Sequence, residues 1–291
     1  MVTLLDVRRA YTARHSALIR RTGTFTRRVY EGLGSWRDED VTRFIRVTQP
    51  VVDGVKFQAA NLTNAYYQQI AQVAGQPFSA TPVTPAELST GALRNGPDFD
   101  EVYTRPFVTT RTQLASGKSL QAAVVAGGAR ALQIAMTDIN LATGHAGRKT
   151  RGRNNNIVGY RRVLTGRENC ALCVIASTQR YRVNDLKPIH PACDCAEEPI
   201  YGEFDPGQII DPELLEQTQA LIESEIGFVD FGARDAGLGK TITAADGSTR
   251  MADYTELIVS REHGEYGPTL AFRDQKFTGP ADIPAVLDTA I

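Results

Sequence analysis

The sequence predicts an α+β fold, mostly α: an extended helical N-terminal half, a small module clasped by a Cys/His cluster, and a short β-rich C-terminal tail. Three observations carry this expectation. Apolar residues in the first 75 positions recur at three- and four-residue steps, all four cysteines fall between Cys170 and Cys195, and short β-prone runs gather after Thr241. The expected regions are 1–104 (helical), 105–205 (the module with the Cys/His cluster) and 206–291 (an acidic helix followed by short strands).

Within residues 1–75, Val41, Phe44, Ile45, Val52, Val55, Ala59, Leu62, Tyr66, Ile70 and Val73 keep one helical face apolar. Ser35 with Asp38 resembles a start signal, and Asp38, Glu39 and Asp40 supply an acidic first turn. Pro50 is expected to break or kink this helix near Gln49, because it lacks an amide hydrogen. Gly75-Gln76-Pro77 should end it. Four prolines between Pro77 and Pro97 predict an extended loop with one short helix. Helical character returns after Pro106 and is strongest from Ser119 to about Thr143, with Leu120, Val124, Ala131, Ile134, Ala135 and Ile139 on the apolar side. Ala126, Gly127, Gly128 and Ala129 would let a second helix approach closely. Gly144 to Gly147 should end this helix, leaving Arg148 to Asn156 as a basic linker. Downstream, Asp211-Pro212-Glu213 opens a helix expected to run to Glu225 and stop at Gly227. Thr241–Thr243, Glu256–Val259 and Thr269–Phe272 are strand candidates, with turns at Asp246-Gly247 and Gly267-Pro268.

The chain has 291 residues, of which 42% are hydrophobic and 22% charged, as in ordinary globular proteins. Arginines arrive too early in MVTLLDVRRAYTARH for a signal-peptide core. The most apolar run, Ala122 to Met136, is short and contains Arg130. The expectation is a chain without a membrane span that starts in a cytoplasm. Its net charge of −1 hides an asymmetry: residues 1–193 hold 26 Lys/Arg against 13 Asp/Glu, and residues 194–291 hold 6 against 20. Such a division points to two surfaces with different partners, or to halves that attract one another.

The chemistry lies in Cys170-Ala171-Leu172-Cys173 and, further on, His190-Pro191-Ala192-Cys193-Asp194-Cys195. Thiolates and imidazole are the ligands Zn²⁺ selects, and a C-x₂-C hook followed by a second Cys/His hook has finger-like spacing. Cys170, Cys173, His190, Cys193 and Cys195 are therefore candidates for the four places of one structural zinc, held by a tight turn at the first pair. Two disulfides between the pairs, or buried thiols, are the competing readings. A catalytic zinc is disfavoured, because such sites keep three protein ligands and an open position, whereas here ligands are in surplus.

Other motifs fail on inspection. Gly237-Leu238-Gly239-Lys240-Thr241 has Arg234 where a phosphate loop needs its first glycine, and Gly117-Lys118-Ser119 has Thr112 there. No G-x-S-x-G occurs, and His263, the best stray acid/base candidate, fits a histidine at a strand end. The basic segment Arg148, Lys149, Arg151 and Arg153 could lie on nucleic-acid phosphates, and a solvated loop is an equal reading because no aromatic platform accompanies it.

Val163-Leu164-Thr165-Gly166, Cys170 to Ala176, and His190-Pro191-Ala192-Cys193-Asp194-Cys195 together resemble the Mu F-like minor head proteins of tailed bacteriophages. The signature of that family ends in His-Pro-x-Cys-x-Cys, with a Cys or His at the position of Cys173. Ser260 to Pro268 and Lys276 to Pro280 look like versions carried by phages of actinobacteria. The resemblance covers roughly residues 105–205, extends through the tail phrases to about 284, and reaches the first hundred residues only in their helicity. Asp194 stands where many relatives carry arginine, and Cys170 is an addition, so the ligand set stays open.

The resemblance implies a structural component of the virion head at the portal vertex, built in during assembly in the host cytoplasm. Its partners would be portal protein, major capsid protein and double-stranded DNA through non-specific phosphate contacts, with no membrane and no small-molecule substrate. Some relatives carry the label of capsid maturation protease, but no motif residue here supplies a nucleophile. Binding, not catalysis, is the expected work. A protease or other hydrolase is the first alternative, and a nucleic-acid-binding zinc module the second.

Overall fold

The computed structural model describes residues 2–164, 168–181, 196–201, 209–226, 241–243, 249–251, 258–263 and 267–272. The described residues form two compact units, one within 2–157 and the other from Val158 onward. The expected 104/105 boundary falls inside a helix, and the 205/206 boundary lies outside the described residues.

The first unit is helical throughout. Helix α1 spans Leu4–Glu31 and opens on a reciprocal cap, in which Thr3 Oγ1 accepts from Asp6 N and the Asp6 carboxylate accepts from Thr3 N. Helix α2 spans Asp38–Val73. Ser35 does bind a first-turn acid, but that acid is Asp40: its Oδ2 accepts from Ser35 N, Ser35 Oγ and Trp36 N, which lowers its pKa. Pro50 does not break α2. It sits on the exposed side, while Phe44, Thr48 and Val52 around it are buried. Burying such side chains at about 1.5–3 kcal/mol each offsets the roughly 3 kcal/mol a mid-helix proline costs. The stop at Gly75 is as expected: Gly75 takes φ +65°, Gln76 N donates to Ala71 O at 2.8 Å and Gly75 N to Gln72 O at 3.2 Å. Of the predicted apolar face, Val73 alone is exposed.

The proline-rich stretch contains a 3-10 turn at Ala86–Leu88 and the short helix α3 at Thr90–Arg94. Helix α4 spans Phe99–Ala115, beginning before Pro106 instead of after it. Asp98 caps it by accepting from Glu101 N at 2.9 Å, and Phe99, Val102, Tyr103 and Phe107 give it a buried face that tolerates the internal proline. Helix α5 spans Leu120–Arg153 and packs against α1, α2, α3 and α4. Between Val124 and Arg151 only Val125 and Gln133 are exposed; Leu120, expected inside, is 54% exposed.

The small residues of α5 make its central place possible. A Cβ on Gly127 would overlap Thr110 Oγ1 of α4 and lie 2.6 Å from the Tyr30 hydroxyl of α1. Gly144 and Gly147, expected to end the helix, are buried within it. Packing recovers the 0.5–1 kcal/mol that each glycine forfeits in a helix. The residues expected as a basic linker are thus largely the last turns of α5.

In the second unit, β1 (Ile157–Val163), β3 (Arg180–Tyr181) and β4 (Ala196–Tyr201) form a sheet of order β3-β1-β4. Strands β2 (Glu168–Cys170), β7 (Ile258–His263) and β8 (Gly267–Phe272) form another, of order β2-β7-β8. Strands β5 (Thr241–Thr243) and β6 (Thr249–Met251) pair with each other. Gly267 and Pro268 are not a turn; they open β8 opposite His263 and Glu262. Helix α6 covers Ala171–Ser177, and α7 covers Pro212–Ile226, with Asp211 Oδ1 accepting from Leu214 N as its cap. The expected stop at Gly227 and the turn at Asp246-Gly247 lie outside the described residues. Mostly helical α+β architecture is what the molecule has, with more strands than the tail alone was expected to hold. Among the described residues no helix is long and apolar enough to cross a membrane.

Candidate functional site

The first cysteine hook is a strand-to-helix junction and not a tight turn. Cys170 ends β2, where its backbone is in register with Val259 of β7, and Cys173 lies in the first turn of α6 at 3% exposure. Ala171, Val174 and Ala176 are buried around it, and α6 packs on α7 and β7. The far end of α6 is fixed as well: Thr178 O accepts from Ile210 N and Asp211 N, and Gln179 bridges to Ile209. The junction is held on three sides before any metal is considered.

His190, Cys193 and Cys195 lie outside the described residues, as does the side chain of Cys170. Cys195 immediately precedes β4, so the 182–195 segment links the two edge strands of the β3-β1-β4 sheet. Among the described residues no three His, Cys, Asp or Glu side chains gather into a metal site. The donor chemistry nevertheless fits zinc: soft thiolates and one imidazole, with Cys173 withdrawn from water on a fixed helix. His263 ends β7 opposite Gly267, at a strand end as expected.

The basic segment does not act as a free arm. Lys149 Nζ lies 2.7 Å from Glu87 Oε1 and donates to Pro82 O at 2.8 Å. Arg151 is buried and donates to the Tyr67 hydroxyl at 2.7 Å. Three hydrogen bonds draw the Glu87 carboxyl down to a pKa of about 2: that from Lys149 first, then the backbone and hydroxyl of Thr84. His145, 4.0 Å from Glu87, is pushed down by burial and then by Arg148. These groups strap the proline-rich stretch to α5.

Sequence reasoning missed a buried ionic cluster between α2, α3, α4 and α5. Asp138 is fully buried; Arg94 Nε lies 2.7 Å from Oδ1, and the Tyr103 hydroxyl donates to Oδ2 at 2.9 Å. Burial pushes the Asp138 carboxyl up, and the Arg94 guanidinium pulls it back. Lys56, also fully buried, pairs with Asp53 at 2.7 Å and donates to Thr90 Oγ1 at 3.3 Å. A signal existed: Asp138 and Lys56 are charges on otherwise apolar helical faces. The arrangement has the marks of a lock, since each charge has a fixed partner.

The outward face of α1 is strongly basic. From Val7 to Tyr30 there is no acidic residue and there are seven arginines, of which Arg9, Arg14, Arg20, Arg21, Arg27 and Arg28 are exposed. The buried residues Tyr11, His15, Ile19, Thr22, Thr26 and Tyr30 follow the helical repeat on the opposite side. No family model, curated protein or solved structure matches the chain.

Proposed function

We propose that the chain is a structural minor component of a tailed-phage head, seated at the portal vertex, with a small module clasped by one zinc ion. The observation that carries this reading is the pairing of Cys170-x₂-Cys173 with His190-Pro-x-Cys193-x-Cys195, the first hook standing on the β2–α6 junction. A buried cysteine on a braced helix is suited to hold a metal and unsuited to turn over substrate. Zinc held there by Cys170, Cys173 and two of His190, Cys193 and Cys195 would supply folding energy to the segment around the β2–α6 junction. The helical unit supplies contact surface, and the arginine face of α1 supplies charge for portal or capsid protein or for packaged DNA.

The test is two measurements on one protein. Purified full-length chain should carry about one Zn²⁺ per molecule, and the chain should be found at one vertex of assembled particles in a density map. Cys173→Ser should reduce the copies entering particles. If that variant entered normally while processing of the major capsid protein stopped, the protease reading would replace this one.

A further inference from the structure

We infer that the outward face of α1 around Arg20, Arg21 and Arg28 is a docking site for an acidic, amphipathic segment of a protein partner. The proposal rests on the head-vertex reading only for which protein supplies that segment. The site is a shallow hollow lined by Arg20, Arg21, Thr24, Phe25, Arg28 and Val29. Arg20, Arg21 and Arg28 are exposed, Phe25 and Val29 are half-buried, and among the described residues no carboxylate pairs with those three guanidiniums. Arg27, just outside the hollow, does have an acid, Glu31, 3.7 Å away.

Charge complementarity names the sign of the occupant. Six exposed arginines with no acid from Val7 to Tyr30 make a surface that repels basic partners and pairs with carboxylates, to which guanidinium offers a bidentate fork. The floor names its second property. Phe25 and Val29 present apolar surface between the arginines, which phosphates would leave uncovered but a leucine or phenylalanine would fill. Exposed ion pairs are weak singly, so an occupant held by carboxylates alone would dissociate readily. An apolar anchor ringed by acids satisfies both features of the hollow, whereas a nucleic acid satisfies one.

The experiment uses full-length protein and three labelled probes: a helical peptide of Glu, Ala and Leu with Leu at three- and four-residue steps, the same peptide with Leu replaced by Ser, and a short DNA duplex. The leucine peptide should bind, and the serine peptide should bind about tenfold more weakly. Arg20→Glu with Arg21→Glu should cost the leucine peptide about tenfold or more. Phe25→Ala should erase the preference for leucine over serine, while Arg9→Glu, further along the helix, should change little. Unchanged circular dichroism keeps the variants comparable. The proposal falls if the leucine peptide does not bind, if both peptides bind alike, or if the duplex binds more tightly and is indifferent to Phe25→Ala. It also falls if the face mediates self-association that the arginine variant abolishes, since a second copy is then the occupant. A variant that loses peptide binding yet still enters particles through this vertex would separate the docking site from the head-vertex reading.

Discussion

The two units of this chain are built from different elements. The helical unit encloses its central helix α5 by close packing: Tyr30, Phe44, Tyr103 and Phe107 are fully buried, and glycine brings backbones together where side chains would hold them apart. The described residues of the second unit form strands of two to seven residues and two helices, and those buried among its apolar residues include Val174, Leu221, Ile222 and Val259. Strands this short gain little stability from pairing alone, so they depend on what packs or binds against them. All four cysteines lie beyond the helical stretch 2–157, where the proposed metal would act.

The largest expected effect tests that contrast directly. Chelation should loosen the segment from Val163 to Ile200 while leaving 2–157 folded, read by hydrogen exchange along the chain. Equal protection in both units after complete metal removal would erase the distinction.

Next in size is Asp138→Ala. It leaves Arg94 without its acid and Tyr103 without its acceptor, while Lys56 keeps Asp53, so it should cost the helical unit about 3–5 kcal/mol in a denaturant titration. Asp138→Asn, which keeps an acceptor for Tyr103, should cost less. The second unit should be untouched by either change.

How much of this was legible beforehand differs between the units for a physical reason. Periodicity announces α2 because one face repeats over many turns, and local chemistry fixes its end, since Gly75 adopts the left-handed conformation that closes it. The expectations that failed are those where packing overrides a local preference. Pro50 and Pro106 sit inside helices, and Gly144 and Gly147 are buried within α5, because burial over a long face outweighs one poor residue. The Asp138–Arg94 pair spans 44 positions of sequence, so no spacing rule reports it. The cysteine hooks were visible as spacing, but the β2–α6 junction beneath the first was not. Its strand is three residues long, and its partner is Ile258–His263, far along the chain.

A smaller, local effect follows from Glu87. Its folded pKa of about 2 lies below the ordinary 4.5, so its ties to Lys149 and Thr84 stabilise the fold fully above pH 4.5. That contribution should be lost as pH falls from 4.5 toward 2. Amide exchange at residues 82–88 should quicken in that window, before the core of α5 responds. Lys149→Met should abolish most of this pH dependence; a response unchanged by that variant would place the titration elsewhere.

The finest test is one substitution made at two glycines of the same unit. Gly127→Ala puts a methyl group against Thr110 Oγ1 and the Tyr30 hydroxyl, where helices α1, α4 and α5 converge, so it should destabilise by about 1–3 kcal/mol. Gly54→Ala places the same methyl group on the exposed face of α2 with nothing within 4 Å. There only the helix preference is left to act, and it favours alanine by roughly 0.5–1 kcal/mol. The two variants should therefore move the denaturation midpoint in opposite directions. If both stabilised, the helices could separate at Gly127 without penalty, and close packing would not be what holds this unit together.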